Sequence, residues 1–145
     1  MADITTYSAK SVQVSLDGRD VRGLWDGDDV VMVERSSDRG TPVVGADGST
    51  IFSTSADESA VITLKLQHTS PAHAYLRSLE RAMTAGRTRK FPVSIRDTES
   101  GEGGSAAECV IQSVPSVNSG SANASEREWK LFAGRWAWSE VEYEA

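Results

Sequence analysis

One cysteine, two histidines and four prolines are spread over 145 residues, and no apolar run approaches the roughly 20 residues that a membrane-spanning helix needs. Cys109 stands alone and so excludes an internal disulfide; together with His68 and His73 it cannot complete a four-ligand thiolate and imidazole zinc site. Leu and Met are also scarce, ten in all against twenty-nine Val, Ile and Thr, and that excess of β-branched side chains favours strands over helices. Residues 1–10 lack the basic and apolar blocks of a secretory signal, which predicts a chain that stays in the cytoplasm unless a machine carries it out.

Cations are in the minority. Fifteen Lys and Arg face twenty-one Asp and Glu, a formal charge of -6, which disfavours a sequence-specific DNA binder because phosphate neutralisation needs clustered cations on one side. One local exception gathers Arg77, Arg81, Arg87, Arg89, Lys90 and Arg96 around Glu80 alone. No aromatic residues interleave with these cations as base stacking would require, so the stretch reads as a solvated or subunit-facing surface. At this length roughly 68–70% of the unfolded surface can be buried, enough for one domain, residues 1–145, with its own core.

Strand signals dominate the first half. Val12, Val14 and Leu16 alternate with polar residues and run into Asp17-Gly18, a half-exposed strand and a hairpin turn. A short return strand is expected over 21–24. The apolar run 30–34 predicts a strand buried on both faces. Residues 35–49, RSSDRGTPVVGADGS, are charged and broken by Gly40, Pro42, Gly45 and Gly48, which predicts a long loop; Val43 and Val44 at its centre suggest that a partner covers it. Strands follow over 50–55 and 60–68. In the latter Ile62, Leu64 and Leu66 share the core face, and Thr63, Lys65 and Gln67 the polar one.

Ser70 as N-cap, Pro71 at the first helical position and Gly86 as terminator bracket a helix over about 71–85, with Leu76 and Leu79 in its apolar stripe. Phe91, Val93 and Ile95 face inward from the next strand, a glycine-rich turn over 99–105 follows, and 108–114 returns. Residues 115–125 read as a flexible connection. The aromatic-rich segment 129–138 is apolar on both parities, a central strand with a break near Gly134, and Glu140, Glu142 and Glu144 put acids on one face of the end.

Catalytic chemistry finds little support in these residues. The spacing of His68 and His73 is not a ligand signature, Cys109 has no basic neighbour in sequence to lower its pKa, and Asp26, Asp28 and Asp29 depart from a calcium-loop pattern. Asn123-Ala124-Ser125 matches a glycosylation acceptor without a secretion signal, and Gly101, Gly103 and Gly104 lack the Lys-Ser/Thr of a phosphate cradle. The expectation is a non-enzymatic protein without cofactor or metal.

The block Glu34-Arg35, Asp38-Arg39, Val43-Val44-Gly45-Ala46-Asp47-Gly48, then Ile62 to Leu66, Thr69-Ser70-Pro71 and the helix, resembles the tail tube proteins of phages with contractile tails. The resemblance runs over nearly the whole chain, with departures at Ala60 and His73, where Gly and Asn are expected. It implies a mainly β fold, a sandwich or barrel of about eight strands with one flanking helix, whose copies close into hexameric rings that stack into the inner tube of a contractile tail. That tube would contact a sheath protein, a tape-measure protein, a baseplate hub and a tail terminator, and would pass phage DNA without binding it specifically. Assembly would occur in the host bacterial cytoplasm and the product would sit in the virion tail. Under this resemblance Arg35, Asp38, Arg39, Val43, Val44 and Asp47 belong to an inter-subunit loop at 35–49, and Thr63, Lys65 and Gln67 to a lumen or seam face. A contractile bacteriocin tube is the near alternative; a monomeric β-sandwich ligand-binding module is the alternative of another class.

Overall fold

The computed structural model describes residues 12–25, 30–97, 102–116 and 126–139. The Asp26, Asp28 and Asp29 cluster, Gly101, the Asn123-Ala124-Ser125 site, and Glu140, Glu142 and Glu144 lie outside the described residues. Among the described residues ten strands and one helix run in the order β1 (Val12–Leu16), β2 (Arg19–Asp20), β3 (Val31–Arg35), β4 (Gly40–Val44), β5 (Thr50–Thr54), β6 (Ala60–Gln67), α1 (Ala72–Thr84), β7 (Phe91–Asp97), β8 (Gly103–Ser113), β9 (Glu126–Ala133) and β10 (Ala137–Trp138).

Eight strands form one antiparallel sheet in the order β2-β1-β7-β8-β9-β6-β3, with β10 added on β8, while β4 and β5 pair only with each other. The segment after β2 draws the two sides of the large sheet together. Val21 still donates its amide to Val14 on β1 at 2.8 Å, but Gly23 accepts from the Gln67 amide at 2.8 Å and Trp25 donates to Lys65 at 2.9 Å, both on β6. Residues 19–25 therefore span from β1 to β6 and close the sheet into a barrel, satisfying backbone groups that would otherwise form free edges. This is a mainly β fold with an eight-stranded sheet and one flanking helix, and of the sandwich or barrel that the resemblance implies it is the barrel.

Alternation along each strand fills the interior. Val14 and Leu16, Ile62, Leu64 and Leu66, Phe91 and Val93, Cys109 and Ile111, and Trp129 and Leu131 are all buried there, and Ile95 is partly buried against them. Helix α1 adds Leu76 and Leu79 to the same cluster. Its end is fixed by two hydrogen bonds, Arg87 to the Ala82 carbonyl at 2.7 Å and Gly86 to that of Met83 at 3.0 Å. Gly86 has φ +82°, the left-handed geometry that this paired closure requires.

Several local expectations change. The loop over 35–49 is instead largely β-structure: β4 and β5 form a hairpin in which Val43 opposes Ile51 and Pro42 opposes Phe52. Pro42 reads as a breaker in sequence, but a two-stranded ribbon has outer edges where a missing amide costs no ladder bond. The return strand is β2, at 19–20 rather than 21–24. Asp17 and Gly18, with φ 52° and 77°, make a two-residue turn, so pairing resumes at once and Gly23, at φ 78°, then redirects the chain. β3 is not buried on both faces. It ends the sheet, and Met32 stands exposed on its outer side.

The glycine-rich turn gives way to strand from Gly103 onward. A Cβ on Gly103 would lie 2.1 Å from the Ile95 carbonyl oxygen, and one on Gly104 would lie 2.5 Å from that of Ala137 and 2.7 Å from the Trp136 ring. Close approach of neighbouring strands, not turn formation, explains these two glycines. The helix N-cap falls on Pro71, and Ser70 is a bridge: its hydroxyl donates to the Arg22 carbonyl and accepts weakly from the Ala72 amide at 3.3 Å.

Candidate assembly surfaces

Packing leaves the β4–β5 arm apart. Four of the eight large apolar side chains exposed among the described residues lie on it, at 54% for Val43, 68% for Val44, 66% for Ile51 and 58% for Phe52. Register puts Val43 and Ile51 on one face, Pro42, Val44 and Phe52 on the other, so the arm is apolar on both sides and covered on neither by the described residues. Sequence reading identified Val43 and Val44 but not Ile51 and Phe52, although alternation in 50–54 could have shown that one of those two must face away from any single core.

The arm's tip and root are both preorganised. At the tip Gly45 donates to the Ser49 carbonyl at 2.7 Å and Gly48 to that of Gly45 at 3.0 Å, with Gly48 at φ 86°. Asp47 accepts from the Ser49 amide at 3.0 Å, a bond that lowers its pKa below the usual carboxylate value. Along the ribbon the Phe52 ring lies over Gly40, where a Cβ would approach to 2.5 Å. At the root Asp57 accepts from the Ser59 hydroxyl at 2.6 Å, the Ser59 amide at 2.9 Å and the Ser37 hydroxyl at 2.8 Å. These bonds, Ser59 first, hold its carboxyl down at about 2. Arg35 donates to the Glu58 carbonyl at 2.7 Å, so it ties the arm to the barrel, while Asp38 and Arg39 stand exposed beside it.

The polar row on β6 sits on the barrel's outer face. Gln67 is exposed and Lys65 partly so, whereas Thr63 is buried within the sheet surface, opposite Met32 on β3 and Lys130 on β9. Lys65 opposes Glu128, and Glu128 lies 3.8 Å from Lys130. Signs alternate across this face. Further round the same outer surface, Ala107, Val110, Phe132 and Ala137 line a groove of about 690 Å³, with Lys90, Glu108 and Arg135 in its walls. Phe132 opposes both Val110 and Val61. The double parity of the 129–138 segment is the sequence trace of this groove: one parity fills the barrel and the other faces out.

His73 and Trp129 meet inside. The Trp129 indole donates to His73 Nδ1 at 3.0 Å, which leaves Nε2 to carry the ring proton toward the Gln67 carbonyl at 2.7 Å. Both nitrogens are used by a neutral ring, and burial lowers the pKa of His73, with the Arg127, Arg77 and His68 charges acting in the same direction. Burial also pushes the Cys109 thiol up to about 11. Among the described residues no group of three or more His, Cys, Asp or Glu side chains is placed to hold a metal ion. The cations Arg77, Arg81, Arg87, Arg89, Lys90 and Arg96 are exposed, on α1, the link after it and β7.

Over residues 4–137 the chain matches the family model described as Bacteriophage PhiTE tail tube protein. No curated protein sequence matches it. Among solved structures the fold is similar to the tube-terminating cap of the anti-feeding prophage, with TM-score 0.67 and 14% identity over 96% of this chain and 94% of that one. It is also similar to a chain of the PVC extracellular contractile injection system sheath-tube complex in its extended state, with TM-score 0.65 and 15% identity over 94% and 93%. A chain from the tail of an empty GTA particle, refined with C6 symmetry, gives 0.61 and 15% over 97% and 100%.

Proposed function

From membership of the phage tail tube family, to which this chain belongs as a structural component, we propose that it closes into hexameric rings that stack into the inner tube of a contractile tail. The observation that carries this reading is the arm. A preformed ribbon with large apolar residues on both faces and a hydrogen-bonded root is built to enter a neighbour, and a monomer would leave that surface in water. The six-fold symmetry named for the similar GTA tail supports six copies per ring, and the contractile injection system relatives support a sheath around the tube.

Within such a tube 35–49 joins copies: Val43 and Val44 supply apolar contact, Asp38, Arg39 and Asp47 the charges around it, and Arg35 holds the root. The Thr63, Lys65 and Gln67 row, with Glu128 and Lys130 beside it, faces the lumen or a wet seam. Alternating signs there give DNA no cationic track, so phosphates pass without retention. The tape-measure protein fills the lumen during assembly in the host cytoplasm, a baseplate hub and a terminator close the two ends, and the mature protein resides in the virion tail, serving DNA ejection. The tube of a contractile bacteriocin fits the same surfaces. A monomeric ligand-binding module fits less well, because Trp129 and Trp136 are buried and the exposed Trp138 packs edge-on against Trp136 instead of lying flat in a stacking platform.

Negative-stain microscopy and sedimentation of the purified protein test the reading. Rings or tubes are expected; a particle that stays near 15.6 kDa at all concentrations overturns it.

A further inference from the structure

We propose that the groove lined by Ala107, Val110, Phe132 and Ala137 is the seat for the β4–β5 arm of a second copy of this chain. The assignment rests on the reading of the protein as a tube subunit and adds where the arm goes. Among the described residues the arm and the groove are both open apolar features, and they have opposite shapes. The arm is a ribbon with Val43 paired to Ile51 on one face, and the groove, about 690 Å³, has a floor of small and aromatic side chains on β8 and β9. A volume of this order accepts several side chains, and small residues such as Ala107 and Ala137 let a second backbone come close.

Charge complementarity selects a copy of this chain as the occupant. The arm's tip carries Asp47, fully exposed and held as an anion by the Ser49 amide. The groove walls carry two cations, Lys90 and Arg135, against the single acid Glu108. Their present partners are Glu108, 3.8 Å from Lys90, and Glu58, 2.8 Å from Arg135, in exposed pairs whose members can exchange at little cost. A ribbon on one copy entering a groove on the next is a heterologous joint, the kind that repeats into a ring or a stack instead of stopping at a dimer. Because the root is already fixed by Asp57 and Arg35, little ordering is required of the arm on entry.

Cysteine pairs in the assembled protein provide the test. Ile51→Cys is combined in turn with Ala107→Cys, Val110→Cys and Ala137→Cys, so that one unfavourable thiol angle does not decide the result, and with Ser78→Cys on exposed α1 as the control. Native Cys109 is buried, with its thiol pushed up to about 11, and stays silent. Mild oxidation of assembled material should give a ladder of covalent multimers for at least one groove pair and none for the helix pair. Phe132→Asp, at a side chain exposed enough to leave the subunit folded, should abolish the polymer. Tubes that form without a groove ladder, a ladder equal in the control, or normal assembly of Phe132→Asp would each overturn the seat while leaving the tube reading intact. Failure of the unmodified protein to form rings or tubes would remove both.

Discussion

Ile62 and Ile51 are the same residue in two β-strands, one fully buried in β6 and the other 66% exposed in β5. Phe91 and Phe52 repeat the contrast, at 1% and 58%. Inside the barrel, burial stabilises the fold by about 1.5–3 kcal/mol for each large apolar side chain. On the arm that driving force is unspent within the subunit, and local hydrogen bonds at tip and root hold the ribbon in its place. The barrel is therefore held by its own residues, whereas the arm's apolar side chains stay exposed on the subunit.

The contrast sharpens in a series of substitutions that begins with the largest expected change in subunit stability. Leu64→Ala removes a fully buried side chain between β3 and β9 and should destabilise the subunit by about 2–5 kcal/mol in urea titration. Lys65→Ala, one position along and on the outer face, should cost no more than about 1 kcal/mol. If the two effects are equal, the strand's faces are not as distinct as the burial says.

Gly104→Ala places a methyl against the Ala137 carbonyl and the Trp136 ring, and β10 must move to admit it. A loss of about 1–3 kcal/mol is expected, together with a change in Trp emission. Gly48→Asn at the arm's tip, where nothing lies within 4 Å and asparagine tolerates the left-handed conformation, should leave the melting temperature nearly unchanged.

His73 gives the barrel a pH dependence on the acid side of neutrality, whereas the shifted groups at the arm's tip and root, Asp47 and Asp57, are carboxyls. Its folded pKa is lowered below 6.5, so the native state binds fewer protons than the unfolded chain. The stabilisation linked to the neutral ring is therefore present above about pH 6.5 and declines as pH falls through that value toward the lower folded pKa. Protonation removes the acceptor for the Trp129 indole, so tryptophan fluorescence should change with it. Urea midpoints at pH 7.5 and 5.5 should differ in the wild type, and His73→Leu should reduce the difference even if it is less stable at both. At lower pH the depressed Asp57 carboxyl, at about 2, adds a loss of stability only as pH drops from about 4 toward 2.

Val43→Asp with Val44→Asp should have a small effect on the subunit, within about 0.5 kcal/mol, because neither valine belongs to the core. The same pair should abolish tubes seen by microscopy, since carboxylates would be buried at every joint. Loss of subunit stability on the scale of Leu64→Ala would show that the arm packs against its own barrel and would erase the distinction.

Much of the barrel was legible because burial writes a period into sequence. Strict alternation in β6 identified Ile62, Leu64 and Leu66, and the Ser-Pro start with the Gly86 stop bracketed α1 to within a residue or two. The arm was half legible: Val43 and Val44 stood out as apolar residues in a polar stretch, but four glycine or proline breaks, Pro42 among them, concealed a ribbon. Gly103 and Gly104 were read as a turn since sequence cannot distinguish glycine chosen for φ from glycine chosen for close approach. The groove left only a double parity in 129–138, with no sign of which neighbours would complete it.

By itself the sequence determined the strand-rich composition, the inward residues of most strands, the single helix among the described elements and the resemblance to tail tube proteins, all of which depend on local spacing or on order along the chain. Tertiary structure alone decided that residues 19–25 close the barrel between β1 and β6, that His73 gives both ring nitrogens to Trp129 and Gln67, and that Phe132 lies beside Ala107 and Ala137 on an open face. Each of these joins groups far apart in the chain, and register and twist, which local residue patterns do not encode, set where such groups meet.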